Sequence, residues 1–542
     1  MLTRQATYGK VYEGFTWQIP RRFNIADAIC DRHVGANREA LVHHNADRTA
    51  ERYTFEALRD ASCRLANALA ALGVVRGDRV GILLPQCPQT VIAHLATYRL
   101  GAVAVPLFTL FGPEAIEYRL ANSAASVIIT SNTGLEKLSG TRDRLPELRH
   151  IINIEADRSP GVSAFDELIE QASPAHHMVD TAPEDPALIV YTSGTTGKPK
   201  GVLHAHRVLL GHLPGVEFPH EFFPQLGDRM WTPADWAWVG GLLDVLLPSL
   251  YHGIPVLSYR FPKFDPELAL DFMNRYDVRN VFMPPTALKI MRQAFSAKTG
   301  ACPRIRTIAS GGERLGEEML AWGRSIFGVT INEFYGQTEA NLVIGNCAKI
   351  MPVKTGSMGR AIPGHIVEVV DNEGIPVSPG EEGTIAVRTP DPVMFLKYWN
   401  EPGATHDKFR GEWCMTGDVG VRDEEGYFWF QGRDDDVINS GGYRIGPGEI
   451  EECLMRHPAV AMVAVIGVPD EMRGQIVKAF VVPHSGSFPG PALAAEITSF
   501  VKTQLSAHEY PRQIEFRETL PMTITGKIRR RDLREATSKR PE

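Results

Sequence analysis

The sequence predicts an α/β protein: a large, multi-subdomain N-terminal domain with mostly parallel sheets and a small β subdomain, followed by a small α+β C-terminal domain. Three observations predict it. From residue 54 to about 340, apolar strand-length runs alternate with helix-length amphipathic stretches, the pattern of parallel sheets with helices on their faces. From about 350, short strands with Gly/Pro turns replace that alternation. A Gly-rich, charged stretch, Gly432 to Glu452, then leads into a last segment with helices and strands of its own. A chain of 542 residues is too long for one ordinary core. The boundary is placed at 432/433, giving domains 1–432 and 433–542.

Residues 1–50 are polar and irregular and read as a wrapping arm. Leu58, Leu65, Leu69 and Leu72 then share one helix face, and Thr54 can cap that helix. Gly77-Asp78 turns into a strand at 79–84, a helix follows over 88–100, and 102–106 is a second strand. A helix begins near Pro113, and 126–130 is a third strand. Residues 140–186 are weakly patterned and read as a link between layers. The run Ala187-Leu188-Ile189-Val190 is a buried strand, and a second α/β block spans about 230–340. The small β subdomain has strands at 366–370, 384–388 and 427–431. In the last segment, helices are expected at 449–457 and 491–505 and strands at 460–468 and 476–483. Leu493, Ile497, Phe500, Val501 and Leu505 share one face of the later helix.

Bulk composition narrows the function. Hydrophobic residues are 44% and charged residues 22%, the balance of a soluble globular enzyme. A net charge of −7 argues against a general nucleic-acid binder, and the basic run Arg529-Arg530-Arg531 reads as a solvated helix face. Seven cysteines form no C-x-x-C pair, so free thiols in a reducing cytoplasm are expected. No apolar run reaches the ~18 residues that span a bilayer. The N-terminus lacks the apolar core of a signal peptide.

The chemistry concentrates in a few stretches. Tyr191 to Gly201, YTSGTTGKPKG, follows the strand at 187–190. Thr192, Ser193, Thr195 and Thr196 supply hydroxyl donors, Gly194 and Gly197 free the backbone N–H groups to converge, and Lys198 and Lys200 add positive charge. Such a loop suits a triphosphate at the carboxyl end of a parallel strand; a polar hairpin turn is the plain alternative. It is not a P-loop, because Pro199 follows Gly197-Lys198 where a hydroxyl on Mg2+ is required. Asp235 to Gly241 sets Trp236 and Trp238, two of eight tryptophans, beside Gly240 and Gly241. This is either a core cluster or a wall of an apolar pocket. Ser310-Gly311-Gly312-Glu313 is a turn against which a flat base could lie. Glu333 to Glu339, EFYGQTE, places an aromatic, a hydroxyl and carboxylates together, fit to stack a base, touch a phosphate and hold Mg2+. Asp418, in Thr416-Gly417-Asp418, could take two ribose hydroxyls. Lys527 stands behind Gly526 in a terminal loop; a solvated surface lysine is the plain reading.

Five separated stretches agree in order and spacing with the acyl-adenylate-forming superfamily, which includes acyl-CoA synthetases, firefly luciferase and peptide-synthetase adenylation domains. The chain resembles it over roughly residues 50–535, and the acetyl- and medium-chain acyl-CoA synthetases most. The resemblance implies a large domain and a mobile C-terminal lid that together join a carboxylic acid to ATP, release pyrophosphate, and pass the acyl group to coenzyme A. ATP, Mg2+ and coenzyme A are the expected cofactors. By motif position, Thr192 to Lys200 would cradle the β- and γ-phosphates. Gly311, Gly312 and Glu313 would flank adenine, Tyr335 would stack on it, and Glu333 would face its amine. Thr338 would touch the α-phosphate and Glu339 the Mg2+, while Asp418 and Arg433 would hold the ribose. Asp435 matches the hinge, Gly442 a glycine lining the pantetheine tunnel, and Arg444 an arginine near the phosphate. Lys527 matches the lysine that bridges carboxylate and α-phosphate during adenylation.

The resemblance has two departures. Arg314 replaces a common proline. Gly336 stands where acetate-specific enzymes place a tryptophan, which implies an open pocket floor and an acid longer than acetate: short to medium, aliphatic, branched or aromatic. Trp236, Trp238 and Gly240 are the other expected pocket residues. Transfer to a carrier-protein thiol, or a non-catalytic nucleotide-binding regulator, are the alternatives. Pro521 to Lys527 has the Pro-x-x-x-x-Gly-Lys spacing read by a protein acetyltransferase in some family members, so an acetyltransferase and a deacylase acting on Lys527 are candidate partners. No nucleic-acid partner and no membrane span are expected.

Overall fold

The computed structural model describes residues 1–47, 49–155, 159–192, 198–261, 263–294, 302–312, 315–433, 438–506, 508–521, 528 and 530–538. The chain divides into two compact units. One takes Met1–Thr109, Leu120–Val190 and Gly201–Gly432; the other takes Leu110–Arg119, Tyr191–Lys200 and Arg433–Glu542.

Two sheets organise the larger unit. The first has eight strands, and its central part is parallel. Arg79–Leu83 lies between Val103–Pro106 and Val127–Thr130, and His150–Asn153 and Val162–Ala164 extend that side. Pro186–Thr192 pairs with Val103–Pro106 on the other side, and Lys397–Tyr398 runs antiparallel to Lys200–Ala205. Val103–Pro106 and Val127–Thr130 are buried along their whole length, as strands covered on both faces must be. The helix Phe55–Ala71 starts where Thr54 accepts a hydrogen bond from the Ala57 amide, 3.2 Å away. It buries Phe55, Leu58, Leu65 and Leu69. The helix Pro88–Arg99 opens with proline at its first position, where the missing N–H costs nothing.

The second sheet has fourteen strands. One half is the parallel run of the second α/β block: Met230–Trp231, Val256–Tyr259, Asn280–Phe282 and Thr307–Ser310. The expected small β subdomain is not a separate sheet. Ile331–Gln337 joins it to the parallel half, pairing parallel with Thr307–Ser310 through Ile331 to Glu333 and antiparallel with Ala340–Gly345 through Phe334 to Gln337. Val367–Val370, Glu382–Arg388, Trp413–Arg422 and Tyr427–Arg433 continue it.

Two stretches expected to be irregular are ordered. The N-terminal arm forms the helices Tyr8–Glu13 and Ile25–Ile29 and the strands Glu39–His44 and Ala50–Thr54. Glu39–His44 pairs with Val256–Tyr259, a distant partner that local pattern cannot reveal. Tyr8 and Tyr12 donate their hydroxyls to the carbonyls of Ala361 and His365 at 2.7 and 2.9 Å. The link region holds His150–Asn153, Val162–Ala164 and the helix Phe165–Gln171.

In the smaller unit, Gly474–Pro483 is the hub of a five-stranded sheet, flanked by Ile438–Ser440, Val460–Asp470 and Gln513–Phe516, with Tyr443–Ile445 beyond the first. Helices Pro447–Met455 and Pro491–Gln504 pack on it, and Ile497, Val501 and Leu505 are buried in its core. The basic run departs from expectation at Arg530, which pairs with Glu451 at 2.6 Å inside this unit instead of facing solvent. All seven cysteines are free and only Cys302 is exposed. Among the described residues no helix is long and apolar enough to cross a membrane.

Candidate active site

The strands Ile331–Gln337 and Ala340–Gly345 form a hairpin whose tip is Thr338 and Glu339. Glu339 is buried, and its Oε1 accepts a hydrogen bond from the Tyr398 hydroxyl at 2.5 Å. Its backbone carbonyl accepts from the Phe395 amide at 2.9 Å. The Tyr398 bond orients the carboxylate and the Phe395 bond fixes the backbone that carries it. His204 lies near it on Lys200–Ala205; burial pushes this imidazole down to about 4 against the opposing pull of Glu339, so it is neutral at physiological pH.

The same hairpin carries Glu333 and Tyr335. Glu333 is buried, with Oε1 3.4 Å from the Leu315 amide. The Tyr335 hydroxyl donates to Asp418 Oδ2 at 2.6 Å, which joins the expected base-stacking ring to the expected ribose carboxylate. Asp418 is aimed by a bulge. The register between Glu382–Arg388 and Trp413–Arg422 shifts at Thr384/Ala386, and Gly417 takes φ +77°, a left-handed conformation that glycine adopts without penalty. Thr416 Oγ1 accepts from the Asp418 amide at 3.0 Å and donates to the Ile385 carbonyl at 2.6 Å. Gln337 and Lys408 tie hairpin and bulge together, donating to the Thr416 carbonyl at 3.1 and 3.2 Å.

The turn after Thr307–Ser310 needs both its glycines. A Cβ on Gly311 would lie 2.5 Å from the Phe334 ring, and Gly312 has φ +94°. Beyond Gly312 lies Trp238, whose ring would be 3.7 Å from a Cβ there. Trp238 is half-buried, 6.0 Å from the Phe282 ring, which is in turn 5.3 Å from Phe334. A Cβ on Gly240 would meet Phe282 at 2.8 Å and Trp238 at 3.0 Å. Gly240, Gly312, Trp238 and Phe282 thus share one patch. Trp236 does not join them as expected: it is fully buried in the hydrophobic core. The turn that separates the two rings is held by Asp235, whose Oδ1 accepts from the Ala237 amide at 2.8 Å; burial pushes this carboxyl up to about 7.

Gly336 requires a correction. The space beside it is not an open floor. A Cβ would lie 2.3 Å from the Leu342 amide nitrogen and 2.6 Å from Asn341 Cα. Gly336 sits at the register shift of the hairpin, and Leu342 opposite it has φ +54°, a left-handed backbone uncommon for leucine. The strand Ala340–Gly345 fills the place that a larger side chain would need, so the tryptophan of acetate enzymes could not be inserted without moving backbone. Gly336→Ala is expected to destabilise the larger unit by about 1–3 kcal/mol, the usual cost of overpacking. A lowered melting transition by calorimetry checks this; an unchanged transition contradicts the close approach.

In the smaller unit, Thr192 ends one strand and Lys200 begins the next. Lys198 Nζ lies 5.6 Å over the Tyr118 ring, whose hydroxyl donates to the Pro199 carbonyl at 3.0 Å. Gly441 and Gly442, with φ +61° and +82°, connect Ile438–Ser440 to Tyr443–Ile445. Tight hairpins of this kind select glycine, a local reason for Gly442 that is independent of any tunnel. Ser193 to Gly197, Glu313, Arg314, Asp435 and Lys527 lie outside the described residues, as do the side chains of Arg433 and Arg444.

The structure therefore brings Glu333, Tyr335, Thr338, Glu339 and Asp418 together on one hairpin and its neighbouring bulge. Tyr398 was missed, because its partner Glu339 is 59 residues away and Lys397-Tyr398-Trp399 carries no local signal. Among the described residues no group of three or more His, Cys, Asp or Glu could hold a metal. Glu339 still suits Mg2+, a hard cation commonly bound by one or two carboxylates with substrate phosphates completing its shell.

Comparison with known proteins places this geometry. The model of the AMP-binding enzyme family matches residues 30–399, and that of the AMP-binding enzyme C-terminal domain matches 449–527. Acetyl-coenzyme A synthetase of Bacillus subtilis (strain 168) is 36% identical, across 97% of this chain and 94% of the relative. The human mitochondrial acyl-coenzyme A synthetase ACSM2B is 35% identical, across 96% and 91%. Among solved structures, an acyl-CoA synthetase of Brucella canis superposes with a TM-score of 0.74 at 35% identity, covering 99% of each chain. The anthranilate CoA ligase AuaEII, solved with anthranoyl-AMP, gives 0.72 at 31%, covering 96% of this chain and 98% of that one.

Proposed function

We infer the substrate class from one premise: the chain belongs to the AMP-binding enzyme family and is an acyl-CoA synthetase, an AMP-forming acid–thiol ligase. Acyl-CoA synthetases use ATP, Mg2+ and coenzyme A. The proposed acid is short to medium in length and larger than acetate, aliphatic, branched or aromatic. One observation carries this reading: the half-buried Trp238 ring, set between Gly240, Phe282 and Gly312, bounds an apolar patch. The anthranilate ligase, a relative named for an aromatic acid, supports the aromatic option. Acetate is the second reading, favoured by the Bacillus relative named for acetyl-coenzyme A.

The proposed roles follow from charge and position. The acid is already ionised, so its attack on the α-phosphorus needs no base. It needs positioning and fixed positive charge where negative groups crowd. Tyr335 would stack on adenine, and Asp418, oriented by Tyr335 and Thr416, would take ribose hydroxyls together with Arg433. Thr338 would touch the α-phosphate and Glu339 would hold Mg2+, whose charge offsets that of the phosphates. Residues Thr192 to Lys200 would cradle the β- and γ-phosphates, and Lys527 would bridge the carboxylate and the α-phosphate. For the second step, residues 433–542 would rotate about Asp435, withdrawing Lys527 and presenting Gly442 and Arg444 to the thiol. Acylation of Lys527 by a protein acetyltransferase, reversed by a deacylase, would switch the enzyme off, since it removes this positive charge.

Acids of increasing length, with benzoate and anthranilate, are assayed for pyrophosphate release with and without coenzyme A. Turnover that rises beyond two carbons and yields the CoA thioester supports the reading; acetate as the best acid overturns it. Trp238→Ala is expected to shift the optimum to longer acids and raise kcat/KM for the longest by about 10-fold or more, since each methylene in an apolar pocket is worth about 1–3 kcal/mol. An unchanged chain-length profile removes Trp238 from the wall.

A further inference from the structure

The candidate-site hairpin and the helical segment that follows Trp238 are joined by buried polar groups that no step above uses. Val239–Gly241 runs into the π-helical turn Leu242–Leu246, which carries Asp244. Asn341, on the facing strand Ala340–Gly345, donates from Nδ2 to Asp244 Oδ1 at 2.7 Å and toward His212 Nε2 at 3.3 Å. His212 Nδ1 lies 2.8 Å from the Val208 carbonyl, which fixes its hydrogen on that nitrogen and leaves Nε2 the acceptor. Asp244 and Asn341 are 4% and 7% exposed. Asn341 Oδ1 lies 2.7 Å from the point that a Cβ on Gly336 would occupy, so this group adjoins the hairpin of the candidate site.

The hydrogen-bond count within the trio is incomplete. Among the described residues, Asp244 Oδ2 and Asn341 Oδ1 take no hydrogen bond. Neither is among the unpaired side-chain atoms sealed from solvent, so both face accessible space and can bond a ligand there. Placing the acid in a π-helical turn, a rare element frequent at functional sites, points the same way.

We propose that Asp244 and Asn341 form a hydrogen-bonding subsite in the wall of the acyl pocket, and that the acid this enzyme activates carries a hydroxyl on its chain. This rests on the reading that Trp238, Gly240 and the Gly336 hairpin border the acyl chain. A hydroxyl is both acceptor and donor, and the two unspent atoms call for both. Burial raises the Asp244 carboxyl well above the usual carboxylate range, which favours the protonated form, the one that can donate to the hydroxyl oxygen. The hydroxyl hydrogen then goes to Asn341 Oδ1. A second carboxylate on the substrate finds no cation in this trio, because burial pushes His212 down to about 3. Asn341 and Asp244 act here as specificity-determining residues, away from the reacting phosphorus.

The test compares kcat/KM for thioester formation with three length-matched acids, alkyl, hydroxyalkyl and aminoalkyl, using the full chain, Asp244→Leu, Asp244→Asn and Asn341→Ala. Sites built to bond a substrate hydroxyl reject the analogue lacking it by as much as 10⁴–10⁵-fold, whereas an apolar pocket prefers that analogue, by about 10²-fold. The full chain should favour the hydroxy acid over the alkyl acid by about 10²-fold or more. Asp244→Leu should invert that preference, Asn341→Ala should reduce it about 10-fold or more, and Asp244→Asn, which keeps a donor, should retain most of it. A structural role alone would lower all three acids equally, and that result overturns the subsite. A preference for the alkyl acid in the full chain, readable without any variant, also overturns it, as does a preference for the amino acid, which would make Asp244 an ion-pair partner instead. Turnover of alkyl acids without hydroxyl preference sinks the subsite and leaves the substrate-class reading intact; no turnover of any acid sinks both.

Discussion

Lys527→Ala is expected to lower pyrophosphate release from ATP and the acid by about 10²–10³-fold, the loss typical of removing one donor aimed at developing charge. In the first half-reaction an ionised carboxylate approaches a polyphosphate that is itself anionic. Mg2+ offsets charge on the phosphate side, but nothing on the carboxylate draws the two together unless a cation touches both. An ammonium behind Gly526 can do so, because its four-carbon stem carries a compact charge to a point that a loop need only approach. The second half-reaction brings a thiol to a neutral acyl carbonyl, and there the same ammonium has no task. The variant should therefore form thioester from supplied acyl-adenylate at a rate within a few-fold of the unmodified enzyme. Measuring both half-reactions separately checks this. Equal losses in both would mean that Lys527 supports the structure of its domain, and no loss in the first would remove it from the reaction.

A comparable loss, about 10²-fold or more in adenylation, is expected for Glu339→Gln, with a higher Mg2+ concentration needed for half-maximal rate. The amide keeps the shape of the side chain and most of its packing at the hairpin tip, but surrenders the charge that a hard divalent cation requires. Tyr398→Phe isolates the orientation of that carboxylate from its charge. The hydroxyl donates to Glu339 Oε1 at 2.5 Å, and removing an outer partner of a metal-binding group typically costs 10–100-fold in metal affinity. The phenylalanine variant should shift Mg2+ dependence about 10-fold while leaving the KM for the acid nearly constant. Thermal stabilisation by ATP with and without Mg2+ gives a readout independent of turnover. If both variants respond to Mg2+ as the unmodified enzyme does, Glu339 does not hold the metal.

Much of this architecture was legible in local sequence. The cap at Thr54, the proline opening the helix Pro88–Arg99 and the apolar strands Val103–Pro106 and Val127–Thr130 are set by residues within a few positions of one another. The hairpin residues Glu333, Tyr335, Thr338 and Glu339 were legible for another reason, since their spacing matches a family pattern. What escaped depended on distant partners. Glu39–His44 is a strand because Val256–Tyr259 lies beside it, and its own residues alternate too little to show this. Tyr398 and Asn341 matter through groups far along the chain. Gly336 misled for a subtler reason. A glycine in a motif reports that a side chain is missing, but not whether the vacated volume is pocket or backbone, and here Leu342 occupies it.

The strand Ile331–Gln337 changes partner sense halfway along, parallel through Glu333 and antiparallel from Phe334. Two of the residues proposed to hold the nucleotide, Glu333 and Tyr335, flank that change. The strand therefore ties the parallel half of the sheet to the antiparallel half, each half of it holding one partner. Its residues 331 to 334 are buried, so the strand belongs to the well-protected end of the range of local stabilities. For a ligand this means that the conformational entropy of ordering the grip was already spent when the chain folded, and binding free energy is free to go elsewhere, into the rotation proposed for residues 433–542.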